Sequence, residues 1–125
     1  MLKIFIPAYN EEKIIESNIR DIYSLFSKKF KSFKLYLVDD GSTDNTYNIA
    51  KSIKLKNFFY VKCGGPSRRE NLVQSMVKYS SGDDIVGFMD ADRSTSEDVL
   101  DLVVKKLERQ ARDAKERLVS KSKRG

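Results

Sequence analysis

The chain has 125 residues, 40% of them hydrophobic and 34% charged, enough for one domain with one core and too few for two. It carries no His and a single Cys63, which excludes imidazole general-base catalysis, the usual zinc sites and an internal disulfide, and fits a reducing, cytoplasmic setting. The net charge of +6 is concentrated: residues 105–125 hold nine Lys or Arg against three Asp or Glu, so residues 1–104 are neutral overall and offer nucleic acid no basic body.

Residues 2–6 form a short apolar run ended by Pro7 and predict a buried strand. Met1-Leu2-Lys3 runs straight into it, so no signal peptide is expected, and no apolar run approaches the ~20 residues of a membrane helix. Asn10 can cap a helix whose first turn carries Glu11 and Glu12, with Ile15, Ile19, Ile22 and Phe26 as its buried stripe. Residues 34–38 predict a second strand, broken by the polar run from Asp39 to Asn45. Residues 46–55 predict a helix with Ile49 and Ile53 inward, and Phe58–Lys62 a third strand. Gly64-Gly65-Pro66 is a loop. Ser67 and Glu70 fit a capping box, opening a helix with Leu72, Val73, Met76 and Val77 on one side. Ser81-Gly82-Asp83 is a turn, residues 85–89 the fourth strand, and Ser94 to Ser96 begin a long C-terminal helix.

Alternation of this kind implies an α/β fold: a mainly parallel sheet of about four strands with helices on both faces. The expected division is a binding domain over residues 1–105 and a basic helical tail over residues 106–125. Leu100, Val104, Leu107, Ala111, Ala114 and Leu118 repeat four and three apart, a seam that either faces a core or pairs two copies as a homodimer. The tail's positive charge is either a solvated face or a contact for anionic lipid headgroups at the cytoplasmic face of a membrane.

Three polar clusters each follow an apolar strand: Pro7-Ala8-Tyr9-Asn10-Glu11, Asp39-Asp40-Gly41-Ser42 and Asp90-Ala91-Asp92. In open α/β sheets ligands bind beyond the carboxyl ends of the strands, so the three clusters are expected to converge on one crevice. Residues two apart on an extended strand point the same way, which makes Asp90 and Asp92 a hard, oxygen-only patch suited to Mg²⁺ or Mn²⁺. Asp-x-Asp is also ordinary turn chemistry, and Asp44 or Asn45 could simply cap the next helix. Arg68 and Arg69 open a helix after Gly64-Gly65, where they either bind an anion or are solvated.

Taken together, Ile6-Pro7-Ala8-Tyr9-Asn10-Glu11-Glu12, Val38 to Thr46 and Phe88-Met89-Asp90-Ala91-Asp92 resemble the family-2 glycosyltransferases of the GT-A fold, and within them the polyprenyl-phosphate (dolichol-phosphate) sugar synthases. The resemblance covers roughly residues 1–105 and implies the Rossmann-like half that binds a GDP- or UDP-linked nucleotide sugar. It implies nucleotide contacts from Pro7, Tyr9, Asn10, Glu11, Asp39, Asp40, Gly65, Arg68 and Asp90, and a metal held by Asp90 and Asp92. Arg68 stands where such proteins have a Gly-Lys-Gly-like loop, which keeps the charge and changes the geometry. The activity implied is metal-assisted, inverting transfer of a sugar to an acceptor such as a polyprenyl phosphate. The acceptor half of such enzymes, with its catalytic base, has no counterpart here, so a non-catalytic nucleotide-sugar-binding fragment is the competing expectation.

Overall fold

A computed structural model of the chain describes residues 1–64 and 67–89, together with positions 105, 109, 112, 113 and 116. The expectations for Gly65, Asp90 and Asp92, and those for the C-terminal helix and tail apart from these five helical positions, lie outside the described residues.

The elements run β1 (Leu2–Ala8), α1 (Ile15–Lys29), β2 (Phe33–Asp39), α2 (Thr46–Ser52), β3 (Phe58–Lys62), α3 (Arg68–Lys78) and β4 (Ile85–Phe88). The four strands form one parallel sheet in the order β3-β2-β1-β4. Ile4 lies opposite Leu35, and Phe5 opposite Phe88. On one face, Ile4 and Ile6 of β1 and Leu35 and Leu37 of β2 meet Ile15, Ile19, Ile22 and Phe26 of α1 and Ala50 of α2. On the other, Phe5, Tyr36 and Val38 meet Leu72 and Met76 of α3. Each buried aliphatic or aromatic side chain of the α1 stripe contributes roughly 1.5–3 kcal/mol of transfer energy. Helices thus cover both faces, as expected. The crossovers by α1 and α2 and that by α3 lie on opposite faces, and this reversal sets the topological switch point between β1 and β4.

Several local expectations are corrected. Strand β1 does not stop before Pro7 but continues through it to Ala8. Ala8 O accepts from Asp40 N–H on the β2 side, and Phe5 O accepts from Met89 N–H on the β4 side. Pro7 therefore falls on the β4 side, beyond the last β1–β4 pair, where no ladder donor is needed. Asn10 does not cap α1: it sits at φ +51°, a left-handed conformation that Asn tolerates. The helix starts only at Ile15, so Glu11 and Glu12 precede it, and Glu11 O accepts from both Ile14 N–H and Ile15 N–H.

Helix α2 ends at Ser52, three residues short of the expected end, because Ile53 turns extended to let β3 start at Phe58 beside Leu35. Ile53 is still buried. In α3 the inward stripe is shifted by one position. Asn71 and Ser75 are buried beside Leu72 and Met76, while Val73 and Val77 are exposed. The Ser67 cap is present, its hydroxyl accepting from Glu70 N–H at 3.1 Å.

At the amino edge of the sheet the Lys3 ammonium lies 2.9 Å from the largely buried Asp84 carboxylate and also donates to Tyr79 O. The Lys3 hydrogen bond, with that from Ser81 N–H, holds the Asp84 carboxyl down at about 2. A depressed carboxyl stabilises the fold above its unfolded value near 4, and that contribution is lost as pH falls toward 2. Asp84→Asn is expected to lower stability at neutral pH by roughly 1–3 kcal/mol. In urea melts across pH the gap to wild type should close between about pH 4 and 2; a gap that stays constant over that range would contradict the pairing.

Candidate functional site

Because β1, β2 and β4 are parallel neighbours, their carboxyl ends lie along one edge of the sheet. Two of the three polar clusters, after β1 and after β2, are described there in full. The third begins at Asp90, directly after Met89, whose N–H bonds β1 at the same edge.

The loops after β1 and β2 are hydrogen-bonded to each other along their length. Asn10 N–H donates to Ser42 Oγ at 2.9 Å, and Asn10 Oδ1 accepts from Thr43 N–H at 2.8 Å and from Asp44 N–H at 3.3 Å. Glu11 N–H donates to the Thr46 hydroxyl at 2.9 Å. Glu12 N–H donates to Asp44 Oδ2, and Asn45 N–H to Glu12 Oε2, both at 3.2 Å. Burial alone would raise the Asp44 carboxyl, but hydrogen bonds from the Thr46 side chain and backbone and from Glu12 N–H outweigh it and hold it below the usual range. Asn10, expected among the nucleotide contacts, is thus placed with its side-chain oxygen on the neighbouring loop.

The two adjacent acids at the carboxyl end of β2, Asp39 its last residue and Asp40 the first beyond it, have opposite surroundings. Asp39 is 1% exposed. Its Oδ1 accepts from Ser42 N–H at 2.9 Å and Ser42 Oγ at 2.6 Å, and its Oδ2 from the Tyr60 hydroxyl. Burial and the Asp39 carboxylate push the Tyr60 phenol up, so it stays a donor. Asp40 is half-buried; Oδ1 accepts from Asn71 Nδ2 at 3.0 Å, while Oδ2 is shielded from water without a partner. Burial, reinforced by Asp39, raises the Asp40 carboxyl against the opposing pull of Asn71 and Arg68. An unpaired buried acceptor of this kind is costly unless a ligand donor meets it.

Arg68, exposed at the start of α3, lays its guanidinium over the Tyr9 ring, 4.6 Å from the centroid. That contact brings α3 to the loop after β1, so Tyr9, Asp40 and Arg68 form one group at the sheet edge. Among the described residues no cluster of three metal-ligating side chains occurs, and no helix is long and apolar enough to cross a membrane. Sequence reasoning missed Asn71, Tyr60 and Thr46 as supports of the site. Thr46 was signalled by its spacing of two from Asp44; nothing local marks Asn71 or Tyr60, whose partners are 31 and 21 residues away.

A family model described as Glycosyl transferase family 2 matches residues 3–115. A minor teichoic acid biosynthesis protein of Bacillus subtilis is 30% identical over 108 residues, 82% of this chain and 24% of that protein. A poly-beta-1,6-N-acetyl-D-glucosamine synthase of Staphylococcus aureus is 26% identical over 98 residues, 78% of this chain and 23% of its own length. A UDP-N-acetylglucosamine–dolichyl-phosphate N-acetylglucosaminyltransferase of Methanococcus voltae is 37% identical over 54 residues, 43% of this chain and 20% of that enzyme. The chain therefore spans well under half the length of each of these relatives. No solved structure matches it significantly.

Proposed function

The chain belongs to glycosyl transferase family 2, and on that premise we propose that it forms the donor-binding part of an enzyme that moves a sugar from a GDP- or UDP-linked nucleotide to an acceptor, with inversion at the anomeric carbon. The observation that carries this reading is the unpartnered Asp40 Oδ2 at the edge where Tyr9 and Arg68 also gather. Base N–H and ribose O–H groups are the donors such an oxygen lacks, and Arg68, exposed on a long side chain, is free to turn to the diphosphate. Pro7, near the end of β1, and Glu11, on the loop after it, flank Tyr9 and complete the nucleotide side. Asp39 serves the site by holding the loop that carries Asp40, and Gly65 and Asp90 complete the nucleotide-contact set.

Asp90 and Asp92 offer two hard carboxylates directly after the strand end that Met89 bonds to β1, a donor set that fits Mg²⁺ or Mn²⁺. When bound, such an ion relieves the charge that gathers on the departing diphosphate. A polyprenyl phosphate is the proposed acceptor, supported by the printed name of the Methanococcus relative and by the basic stretch 106–125, which suits an anionic lipid surface. A phosphate acceptor is already anionic and needs little help from a general base.

The competing reading is a nucleotide-sugar-binding module without turnover. Release of nucleoside diphosphate from nucleotide sugars, with anionic vesicles carrying polyprenyl phosphate present, separates the two. The enzyme reading expects release that needs Mg²⁺ or Mn²⁺ and is lost in Asp90→Ala and Asp92→Ala. Calorimetric donor binding without release points to the module, and nucleotide affinity unchanged in both variants would remove the metal assignment.

A further inference from the structure

Among the described residues, the buried side-chain oxygens without a hydrogen-bond partner are Asp40 Oδ2 and Ser80 Oγ, and only the first lies at the donor edge. What distinguishes the Asp40 carboxylate is that its other oxygen is already taken. Asn71 Nδ2 donates to Oδ1 at 3.0 Å, and the reverse amide orientation would set two oxygens against each other. Asn71 is itself held firmly. It is 3% exposed, its N–H donates to Ser67 O at 3.1 Å, and its carbonyl accepts from Ser75 Oγ at 2.8 Å. Arg68 from α3 and Asp39 from β2 are the charged groups facing Asp40, and both act on it through charge alone. Beside Asn71 a cavity of about 260 Å³ runs between β3 and α3, lined also by Cys63, Gly64 and Ser75.

We propose that Asn71 sets the base selectivity of the donor site: by leaving Asp40 one acceptor oxygen beside an amide donor, it favours uracil nucleotides over guanine nucleotides. The inference rests on the reading of Asp40 as a base contact. Guanine presents two adjacent donors, the ring N1–H and the exocyclic amine, which match a carboxylate with both oxygens free. Uracil presents a single N3–H flanked by carbonyl oxygens, so it needs one acceptor and tolerates a donor next to it. At this site guanine would leave one donor unpaired and bring it against the Asn71 amide, and discrimination of this sort comes from the group left without a partner.

The test is calorimetric titration of UDP and of GDP, with Mn²⁺ present, into the chain and its Asn71→Ala variant. The chain should bind UDP at least about tenfold more tightly than GDP, and the ratio should fall toward one in the variant. Both nucleotides titrate the same sample, so the ratio is insensitive to any loss of folded protein that Asn71→Ala causes. Where the variant does not fold, the wild-type ratio alone carries the decision. GDP bound as tightly as UDP by the wild type, or a ratio unchanged in the variant, overturns the assignment to Asn71. A chain that binds neither nucleotide overturns the donor-site reading itself, and this inference with it.

Discussion

Asp40→Ala is expected to weaken nucleotide binding about a hundredfold, equivalent to about 3 kcal/mol, while changing the stability of the ligand-free domain little, because relief of a half-buried carboxylate is set against the loss of the Asn71 hydrogen bond. The first half follows from the unpaired Oδ2, which is the acceptor a ligand donor would meet. The second follows from the raised Asp40 carboxyl. A group whose folded pKa lies above its unfolded one stabilises the fold at low pH and loses that contribution as pH rises through the folded value. Once ionised, the half-buried Asp40 therefore costs the free domain some stability, which the Asn71 hydrogen bond and the Arg68 charge partly offset. Binding has the opposite sense, because a ligand N–H or O–H needs the anion. Affinity should thus fall with acidity, beginning above the ordinary carboxylate range near pH 4. Thermal-shift titrations with UDP and Mn²⁺ across pH read both effects: the ligand-induced rise in Tm should vanish in Asp40→Ala. A variant that keeps the rise would dismiss Asp40 as a ligand contact.

Asp39→Ala should do the reverse and cost roughly 2–4 kcal/mol of stability. It removes the buried acceptor of three part-buried hydrogen bonds, those from the Tyr60 hydroxyl, Ser42 N–H and the Ser42 hydroxyl. Asp39→Asn should recover part of the loss, since its amide oxygen can still serve Ser42 and its amino group can face the Tyr60 oxygen. Urea unfolding at neutral pH measures the series. Equal midpoints for wild type and Asp39→Ala would show that the buried network contributes nothing. Two neighbouring acids with the same side chain thus separate into one that the fold consumes and one that it leaves available.

That separation was not legible in the sequence. Asp39 and Asp40 are adjacent and chemically identical, and what divides them is the strand pleat together with Tyr60 and Asn71, which arrive from β3 and α3. Three of the strands were legible as apolar runs closed by a polar cluster, β3 as an aromatic and β-branched run before Gly64-Gly65-Pro66, and the α1 stripe because Ile15, Ile19, Ile22 and Phe26 keep a helical spacing. Errors arose where tertiary demand overrode local chemistry. Asn10 reads as a cap from its neighbours, yet its side chain is claimed by the loop 33 residues on. Val73 and Val77 read as core from their hydrophobicity, yet α3 turns Asn71 and Ser75 inward instead.

The stitching between the loops after β1 and β2 has a consequence for engineering. Backbone donors and side-chain acceptors alternate between Asn10, Glu11 and Glu12 on one side and Ser42 to Thr46 on the other. Each loop has some bonds of its own, such as Ser42 to Asp39 and Thr46 to Asp44 after β2, but transplanted singly onto another scaffold it would leave all the bridging donors and acceptors without partners. They form a two-part cassette. Residue changes, insertions or grafts in one half must be designed together with the other.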